Sequence, residues 1–326
     1  MKVSKLSIIV PVYYNEHNLI PLYEDLKEKV LRQLEDYELV MVDDGSGDGS
    51  WEKLQYLQSL DPNVHLLKLS RNFGSHAAIL AGLNHASGDC AVIKAADLQE
   101  PSEILLEMFA EWKKGNNVVL AVRGDREESV FQKAFSNLYY WLVRRLALPN
   151  MPKTGFDIFL IDRKVIEVLR LMDEKNSAIT LQILWSGFQT STISYVRRKR
   201  EIGRSRWTLR KKIKLVVDSI VSFSYVPLRF MTGIGALFFL GSIIWGLVVF
   251  VSKLTGNIQT PGYTTSLIFQ LFSSGLIMFT LGLLGEYIWR TLDAARNRPP
   301  YIVEVEKKET APETSGREDE SETKGT

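Results

Sequence analysis

The chain of 326 residues has room for one large domain with an appendage, or for two modest ones, and its 45% hydrophobic and 24% charged content is that of an ordinary globular protein. A lone cysteine, Cys90, excludes an intrachain disulfide framework and a cysteine-based zinc site. The net charge of +2 points to no partner, and no nucleic acid is expected.

In chain order, "LSIIVPVY" is a short apolar run ended near a proline and predicts a buried strand. "HNLIPLYEDLKEKVLRQLED" spaces Leu19, Leu22, Leu26 and Val30 at helical intervals. "YELVMVDDGSGDGS" is a second buried strand closed by acidic residues and a glycine-rich turn, and "SWEKLQYLQSLD" a helix opened by a Ser N-cap. "NVHLLKLS" reads as strand, "SHAAILAGLNHAS" as helix and "DCAVIKAA" as strand. "PSEILLEMFAEWKKG" is a helix with proline at its start, and "NNVVLAVR" a further strand. Strands alternating with helices imply βαβ crossovers and a mostly parallel sheet. Residues 1–200 form this soluble domain, and 201–228 a basic juxtamembrane stretch. There, "LRKKIKLVVDSIVSF" places Ile213, Val216, Val217, Ile220 and Val221 on one side, as an interfacial helix stopped near Pro227 would.

Two apolar runs follow. No charge occurs from Phe230 to Val251, nor from Leu267 to Gly285, and each run approaches the ~20 residues of a membrane-crossing helix. Buried core helices are the alternative, disfavoured because large apolar residues occupy every face and Gly recurs in both. Both runs lie far from the N-terminus, so neither is a signal peptide. Positive charge is packed into "RRKREIGRSRWTLRKKIK" before the first run, and Arg290, Arg296 and Arg298 stand at or beyond the end of the second. The connection between the runs carries only Lys253. The positive-inside rule then places the domain and both termini in the cytoplasm, with two spans (229–290) in the inner membrane and a return segment at 291–303. Glu286 is expected to be an interfacial anchor paired with a nearby arginine. The tail, 304–326, is polar and charged and is expected to be disordered.

In parallel α/β sheets, ligands bind beyond the carboxyl ends of the strands. Polar groups collect there: Tyr13 to Glu16, Asp43 and Asp44, Arg71 to Gly74, and Asp97 to Gln99. "DDGSGDGS" is not a Walker A loop, because no Lys-Ser/Thr follows, and its singly alternating glycines are not a G-x-G-x-x-G fingerprint. A strand-end aspartate can accept a hydrogen bond from a base N–H or a ribose hydroxyl, while Asp44 or Ser46 can instead cap the next turn. At Asp97 one carboxylate suits Mg2+ or Mn2+ shared with a diphosphate; the rival reading is a cap for the next helix, for which Glu100 or Ser102 is better placed. Ala95 stands where a D-x-D clamp would have its other carboxylate.

"SIIVPVYYNEHNL", "VMVDDGSGDGS", "LSRNFGSHAAILAGLNHASGD", "ADLQEP", "GRSRW" and "LLGEYIWR…NRPPYIV" together resemble the inverting family-two glycosyltransferases. The branch they resemble is the polyprenyl-phosphate glycosyltransferases, which includes relatives of dolichyl-phosphate mannose synthase and bacterial bactoprenol glucosyltransferases. The resemblance covers nearly all of the chain except the tail. It implies an α/β, Rossmann-like GT-A domain followed by interfacial helices and two C-terminal transmembrane helices. It places Pro11, Tyr13 and Glu16 in a nucleotide pocket and Asp43 at the base. Asp44 and Arg71 are assigned to the nucleotide sugar with them. Asp97 matches the second aspartate of D-x-D and is the metal ligand and a catalytic residue, with Gln99 nearby for donor or metal. Ala95 departs from the two-carboxylate pattern and puts metal affinity in question. Arg200, Ser205 and Arg206 are assigned to the acceptor or donor phosphates, arginine suiting bidentate oxyanion binding. Asp157 in "KTGFDIFLIDR" is the catalytic orienting group, and its neighbour Asp162 a helix cap.

The expected reaction moves one sugar, glucose from UDP-glucose first, to undecaprenyl or another polyprenyl phosphate on the cytoplasmic leaflet. GDP-mannose or a UDP-aminopentose is the alternative donor, and a catalytically silent membrane scaffold the alternative class. A processive synthase is disfavoured: it needs more spans, and "QILW" at Gln182 to Trp185 is not Q-x-x-R-W. Implied partners are a flippase and a second transferase, and the Gly-rich spans allow a homo-oligomer.

Overall fold

The computed structural model describes residues 3–124, 130–172, 178–196, 209–255 and 262–308. The chain forms two units, Met1–Leu98 with Tyr301–Thr326, and Gln99–Pro300.

In the first unit β1 (Leu6–Val12), β2 (Tyr37–Asp43), β3 (Val64–Leu69) and β4 (Cys90–Ile93) alternate with α1 (Leu19–Lys29), α2 (Ser50–Leu60) and α3 (Ser75–His85). The strands run parallel in the order β4-β1-β2-β3, with Leu6 opposite Tyr37 and Val12 opposite Asp43. A parallel strand covered by helices on both faces needs an unbroken apolar run. β1 and β2 supply one, with every residue from Leu6 to Val10 and from Glu38 to Asp43 buried. Each buried Leu, Ile or Val contributes about 1.5–3 kcal/mol on leaving water.

Two local expectations shift here. The first helix ends at Lys29, and a 3-10 turn takes Leu31–Gln33, because buried Val30 leaves helical geometry (φ −125°, ψ −61°). Ser50 is not the cap of α2; Gly49 is. The Ser50 hydroxyl accepts a hydrogen bond from the Asn15 amide at 3.0 Å instead, tying the β1 loop to the start of α2.

At the opposite end of these strands the Glu38 carboxylate is fully buried. It accepts from Ser7 Oγ (2.5 Å), Ser87 N (2.5 Å), Ser87 Oγ (2.6 Å) and Gly88 N (3.1 Å), with Lys5 Nζ 3.4 Å away.

The second unit holds α4 (Ile104–Lys113), β5 (Val118–Arg123), α5 (Val130–Leu146), β6 (Phe156–Asp162), α6 (Arg163–Leu171), α7 (Ile179–Trp185) and β7 (Thr190–Tyr195). β5 pairs antiparallel with β6 and parallel with β7. No side chain caps α4, so neither Glu100 nor Ser102 does the job expected of it. Asp162 does cap α6, accepting from Lys164 N at 2.9 Å, and also takes the Trp112 indole N–H at 2.8 Å.

The same unit continues into α8 (Leu209–Phe223), α9 (Val226–Leu254) and α10 (Tyr263–Ala295). α8 covers the stretch expected and ends at Phe223, near Pro227, which itself sits in the first turn of α9, where a missing N–H costs nothing. The windows Val226–Val248 and Phe272–Ala295 have mean hydropathies of 1.9 and 1.2 and are long enough to cross a membrane. Leu237, Trp245 and Met278 are 71%, 68% and 70% exposed, which removes the buried-core reading. Arg290 of α10 bonds Asp218 Oδ1 (2.6 Å) and Ser222 Oγ (3.2 Å) on α8, and Glu286 Oε1 on its own helix (3.0 Å). Glu286 is thus paired with a nearby arginine, as expected. Tyr287 donates to the Ser224 carbonyl at 3.0 Å, and the Tyr139 and Ser219 hydroxyls bond α5 to α8 at 2.9 Å.

The tail expectation needs correction. Val303–Lys307 is a strand, β8, antiparallel to β3 in the first unit, with Leu66 opposite Lys307. Ser70 N bonds the Ile302 carbonyl (3.0 Å), Gln58 Nε2 the Lys307 carbonyl (2.9 Å), and Asn84 Nδ2 the Tyr301 hydroxyl (2.8 Å). The stretch is polar in composition, but Val303 and Val305 alternate inward with period two, and β3 supplies the partners. Residues 309–326 lie outside the described residues.

Candidate active site

Parallel register brings the ends of β1 and β2 level, so the loops that follow them lie side by side. The Tyr14 amide donates to Ser46 Oγ (3.0 Å), and the Gly49 amide to Glu16 Oε2 (3.1 Å). Tyr14 takes a left-handed backbone (φ 53°), with its ring edge-on to Tyr13 at 4.7 Å. Pro11 is half-buried, one residue before the end of β1. Gly45 (φ +68°) closes the next turn, where an added Cβ would stand 2.6 Å from the Arg71 carbonyl carbon. Only glycine fits both the backbone angle and that approach.

The two adjacent aspartates do different work. Asp44 accepts from Phe73 N (2.7 Å), Gly74 N (2.9 Å) and Asn72 Nδ2 (3.0 Å), so it clamps the loop between β3 and α3. Most of its hydrogen-bonding capacity thus goes to the protein, which leaves it less for the nucleotide sugar than the sequence reading assigned. Asp43 is fully buried; its Oδ1 accepts from Ser46 N at 3.1 Å, and its Oδ2 has no hydrogen-bond partner among the described residues. Burial pushes both carboxyls above their ordinary range, against the Ser46 hydrogen bonds at Asp43 and the Phe73 and Gly74 amides at Asp44. Arg71 is exposed, its guanidinium 4.1 Å from the centre of the Phe73 ring.

After β4, Lys94 is fully buried, Ala95 and Asp97 are half-buried, and Leu98 is left-handed (φ 57°). Strained non-glycine residues gather at functional sites, and here the two in the first unit, Tyr14 and Leu98, both follow strand ends. Among the described residues no three His, Cys, Asp or Glu side chains stand together as a metal cage. Asp97 fits a metal only as one ligand beside oxygens from a substrate. Lys94 escaped the sequence reading; its one signal is a charge inside the apolar run "AVIKAA".

In the second unit Gln99 is half-buried, and Asp157 forms an ion pair with Arg123. Arg123 also went unnoticed in the sequence, as did Tyr195, whose phenol is raised first by burial and then by Glu100 and Asp157. Burial opposes the charge on Arg123, and Asp157 outweighs it. A cavity of about 270 Å³ lies beside Tyr195, lined by Pro101, Ile104, Glu107 and Ser194 among others. Arg200, Ser205 and Arg206 lie outside the described residues.

Residues 7–170 match the family described as glycosyl transferase family 2, and residues 226–290 match the GtrB C-terminal hairpin. The uncharacterized glycosyltransferase YkcC of Bacillus subtilis (strain 168) is 38% identical, covering 91% of this chain and 93% of its own. A bactoprenol glucosyl transferase of Shigella phage SfV is 34% identical over 93% of this chain and 99% of its own. Among solved structures, glucosyl-3-phosphoglycerate synthase of Mycobacterium tuberculosis, in complex with Mn2+, UDP and glucosyl-3-phosphoglycerate, aligns at 14% identity with a TM-score of 0.48, over 67% of this chain and 79% of its own. The family match and the identity along nearly the whole chain make this protein a member of glycosyl transferase family 2, with a GtrB-type hairpin at its C-terminal end.

Proposed function

We propose that the protein transfers one glucose from UDP-glucose to a polyprenyl phosphate, with inversion, on the cytoplasmic face of the inner membrane. The observation that carries the donor is Asp43. One of its oxygens accepts from the Ser46 amide, and the other is buried with no hydrogen-bond partner among the described residues. A single free carboxylate oxygen suits the one imide N–H of uracil. Guanine offers two donors side by side and is best met by both oxygens, one of which already accepts from Ser46, so a GDP-sugar fits less well. Tyr13, Glu16, Pro11 and Arg71 surround this end of the strands.

The acceptor reading is supported by relatives named bactoprenol glucosyl transferase and by two exposed apolar helices. Arginines and lysines beside a membrane attract anionic head groups at roughly 1 kcal/mol each. Arg200, Ser205 and Arg206 are proposed ligands of the phosphates. The acceptor phosphate, with a second pKa of about 6, is largely dianionic at neutral pH. One of its oxygens attacks the anomeric carbon from the side opposite the diphosphate. The new C–O bond forms as the bond to UDP breaks, and the electron pair leaves with UDP. No proton needs removing from the nucleophile, so Asp157 serves to orient. As an anion, it holds a sugar hydroxyl rather than the like-charged phosphate. Asp97, with Gln99 nearby, would hold Mg2+ or Mn2+ together with the diphosphate, and that ion would neutralise the charge gathering on the leaving group.

The test is transfer by the purified full chain in detergent, with undecaprenyl phosphate and labelled UDP-glucose or GDP-mannose, with either metal or with chelator. Labelled lipid from UDP-glucose alone, abolished by chelator, is the expected result. Labelled lipid from GDP-mannose would overturn the Asp43 argument. Chelator-resistant transfer would remove the metal from Asp97. Intact UDP binding with no transfer from any donor would favour the scaffold reading, with Ala95 as its reason.

A further inference from the structure

We propose that the exposed face of α5, carrying Leu138, Trp141 and Arg145, lies on the membrane surface as a further interfacial helix, against anionic lipid headgroups. The proposal rests on the membrane reading of the hairpin given above. It extends that reading to a helix within residues 7–170, outside the hairpin.

The sequence of α5 is VFQKAFSNLYYWLVRRL. At about 100° per residue, Leu138, Trp141 and Arg145 fall on one face, three and four positions apart. Leu138 is 55% and Trp141 53% exposed, Arg145 is exposed beside them, and Val143 on the other side is fully buried. A single apolar residue on a surface needs no explanation. Leucine and tryptophan beside arginine on one helix face are the composition of a helix that lies in the membrane interface.

The second observation is what α5 is fastened to. Its Tyr139 hydroxyl bonds the Ser219 hydroxyl of α8 at 2.9 Å. α8 is held in turn to α10, where Arg290 bonds Asp218 and Ser222, and Tyr287 bonds the Ser224 carbonyl just beyond the end of α8. α5 is therefore one link removed from a helix long enough to cross a membrane. Leu138 and Trp141 lie about 100° and 160° round the axis from Tyr139, so the bond to α8 leaves their face open.

The third is a combination of residues that recurs at the two ends of the hairpin. At the start of α9 the Arg229 guanidinium lies 4.2 Å from the centre of the Tyr225 ring, and near the end of α10 that of Arg296 lies 5.4 Å from the centre of the Trp289 ring. Both ends lie on one side of a two-helix hairpin, at the level where aromatic rings and basic residues anchor a chain among headgroups. Trp141 and Arg145 repeat the four-residue spacing of Tyr225 and Arg229 on α5. Arg144 and Arg145 close α5 with two positive charges. The helix dipole accounts for basic residues there, but not for the exposed Leu138 and Trp141 beside them. Two copies of one basic face repel each other, whereas an anionic surface attracts it, so lipid is the occupant that the charge selects.

The experiment places an environment-sensitive fluorophore on Leu138→Cys or Trp141→Cys in the full chain, reconstituted into phosphatidylcholine vesicles with or without phosphatidylglycerol. Both positions are exposed, so the substitutions leave the fold intact. Cys90 is fully buried, and the unsubstituted chain carried through labelling is the blank. Lys114→Cys, exposed among the polar residues that follow α4, is the aqueous reference, and Phe239→Cys, exposed within α9, the membrane one. Lipids bearing a nitroxide at the headgroup or deep in the acyl chain are the quenchers. The labels at 138 and 141 are expected to shift to the blue and to lose emission chiefly to the headgroup nitroxide, while the label at 114 does neither. Both effects should grow with phosphatidylglycerol, and Arg144→Gln/Arg145→Gln should remove that growth. Labels at 138 and 141 as unquenched as that at 114, beside a quenched label at 239, would overturn this proposal and leave the hairpin reading standing. A blue shift without quenching would also sink it, because protein, such as a second copy, then covers the face. Quenching indifferent to phosphatidylglycerol would refute the choice of anionic headgroups. A label at 239 that no lipid nitroxide quenches would remove the hairpin reading, and this proposal with it.

Discussion

Replacing Glu38 by Gln isolates what a buried carboxylate far from the candidate site contributes. Burial by itself would raise the pKa of Glu38. The Ser7 and Ser87 hydroxyls, the Ser87 amide and the charge of Lys5 overcome it and hold the group at about 2, against an ordinary 4.5. That gap, at about 1.4 kcal/mol for each pH unit, amounts to about 3 kcal/mol of stability. The folded value lies below the unfolded one, so the contribution is complete above about pH 4.5 and drains away as pH falls toward about 2. Gln keeps one acceptor oxygen but turns an NH2 group toward donors that have nowhere else to point. In detergent, with unfolding followed by tryptophan fluorescence, the variant should unfold well before wild type at neutral pH. The gap between the two midpoints should then narrow steadily below about pH 4.5. A constant gap from neutral to strongly acidic pH would refute the reasoning, because the loss would then owe nothing to the charge.

Asp43→Asn should weaken UDP binding by about 10- to 100-fold, the worth of one hydrogen bond to a charged acceptor, with the unfolding midpoint unchanged; titration calorimetry with UDP reads it. Asp44→Asn should behave differently, lowering the midpoint by breaking the clamp on Asn72, Phe73 and Gly74. Ending the chain after Pro300 should bare the outer edge of β3 and shift the protein toward aggregates on size exclusion, since an unpaired strand edge is a template for other chains.

The alternating part of the fold was legible because parallel strands covered on both faces must be written as continuous apolar runs. "LSIIVPV" and "YELVMVD" admit few other readings. β8 was missed for the converse reason: an edge strand buries only alternate residues, and two half-buried valines among glutamates carry little signal. The same contrast holds for the site. Asp43 could be picked from "VMVDDGSG" as a strand-end carboxylate, but that its neighbour Asp44 holds a loop shows only in its contacts with residues 72 to 74. Arg123 and Tyr195 were illegible because each is a single polar residue ending an ordinary strand. Only the pairing of β5 with β6 and β7 brings them to Asp157 and to each other.

The position of β8 also bears on the order in which the protein can be made. β3 is complete by Leu69, but the strand that covers its open edge begins at Val303, beyond both membrane helices. During synthesis the first unit therefore waits with one exposed edge while the two long apolar helices are made. The strand that seals it is thus among the last parts of the chain to leave the ribosome.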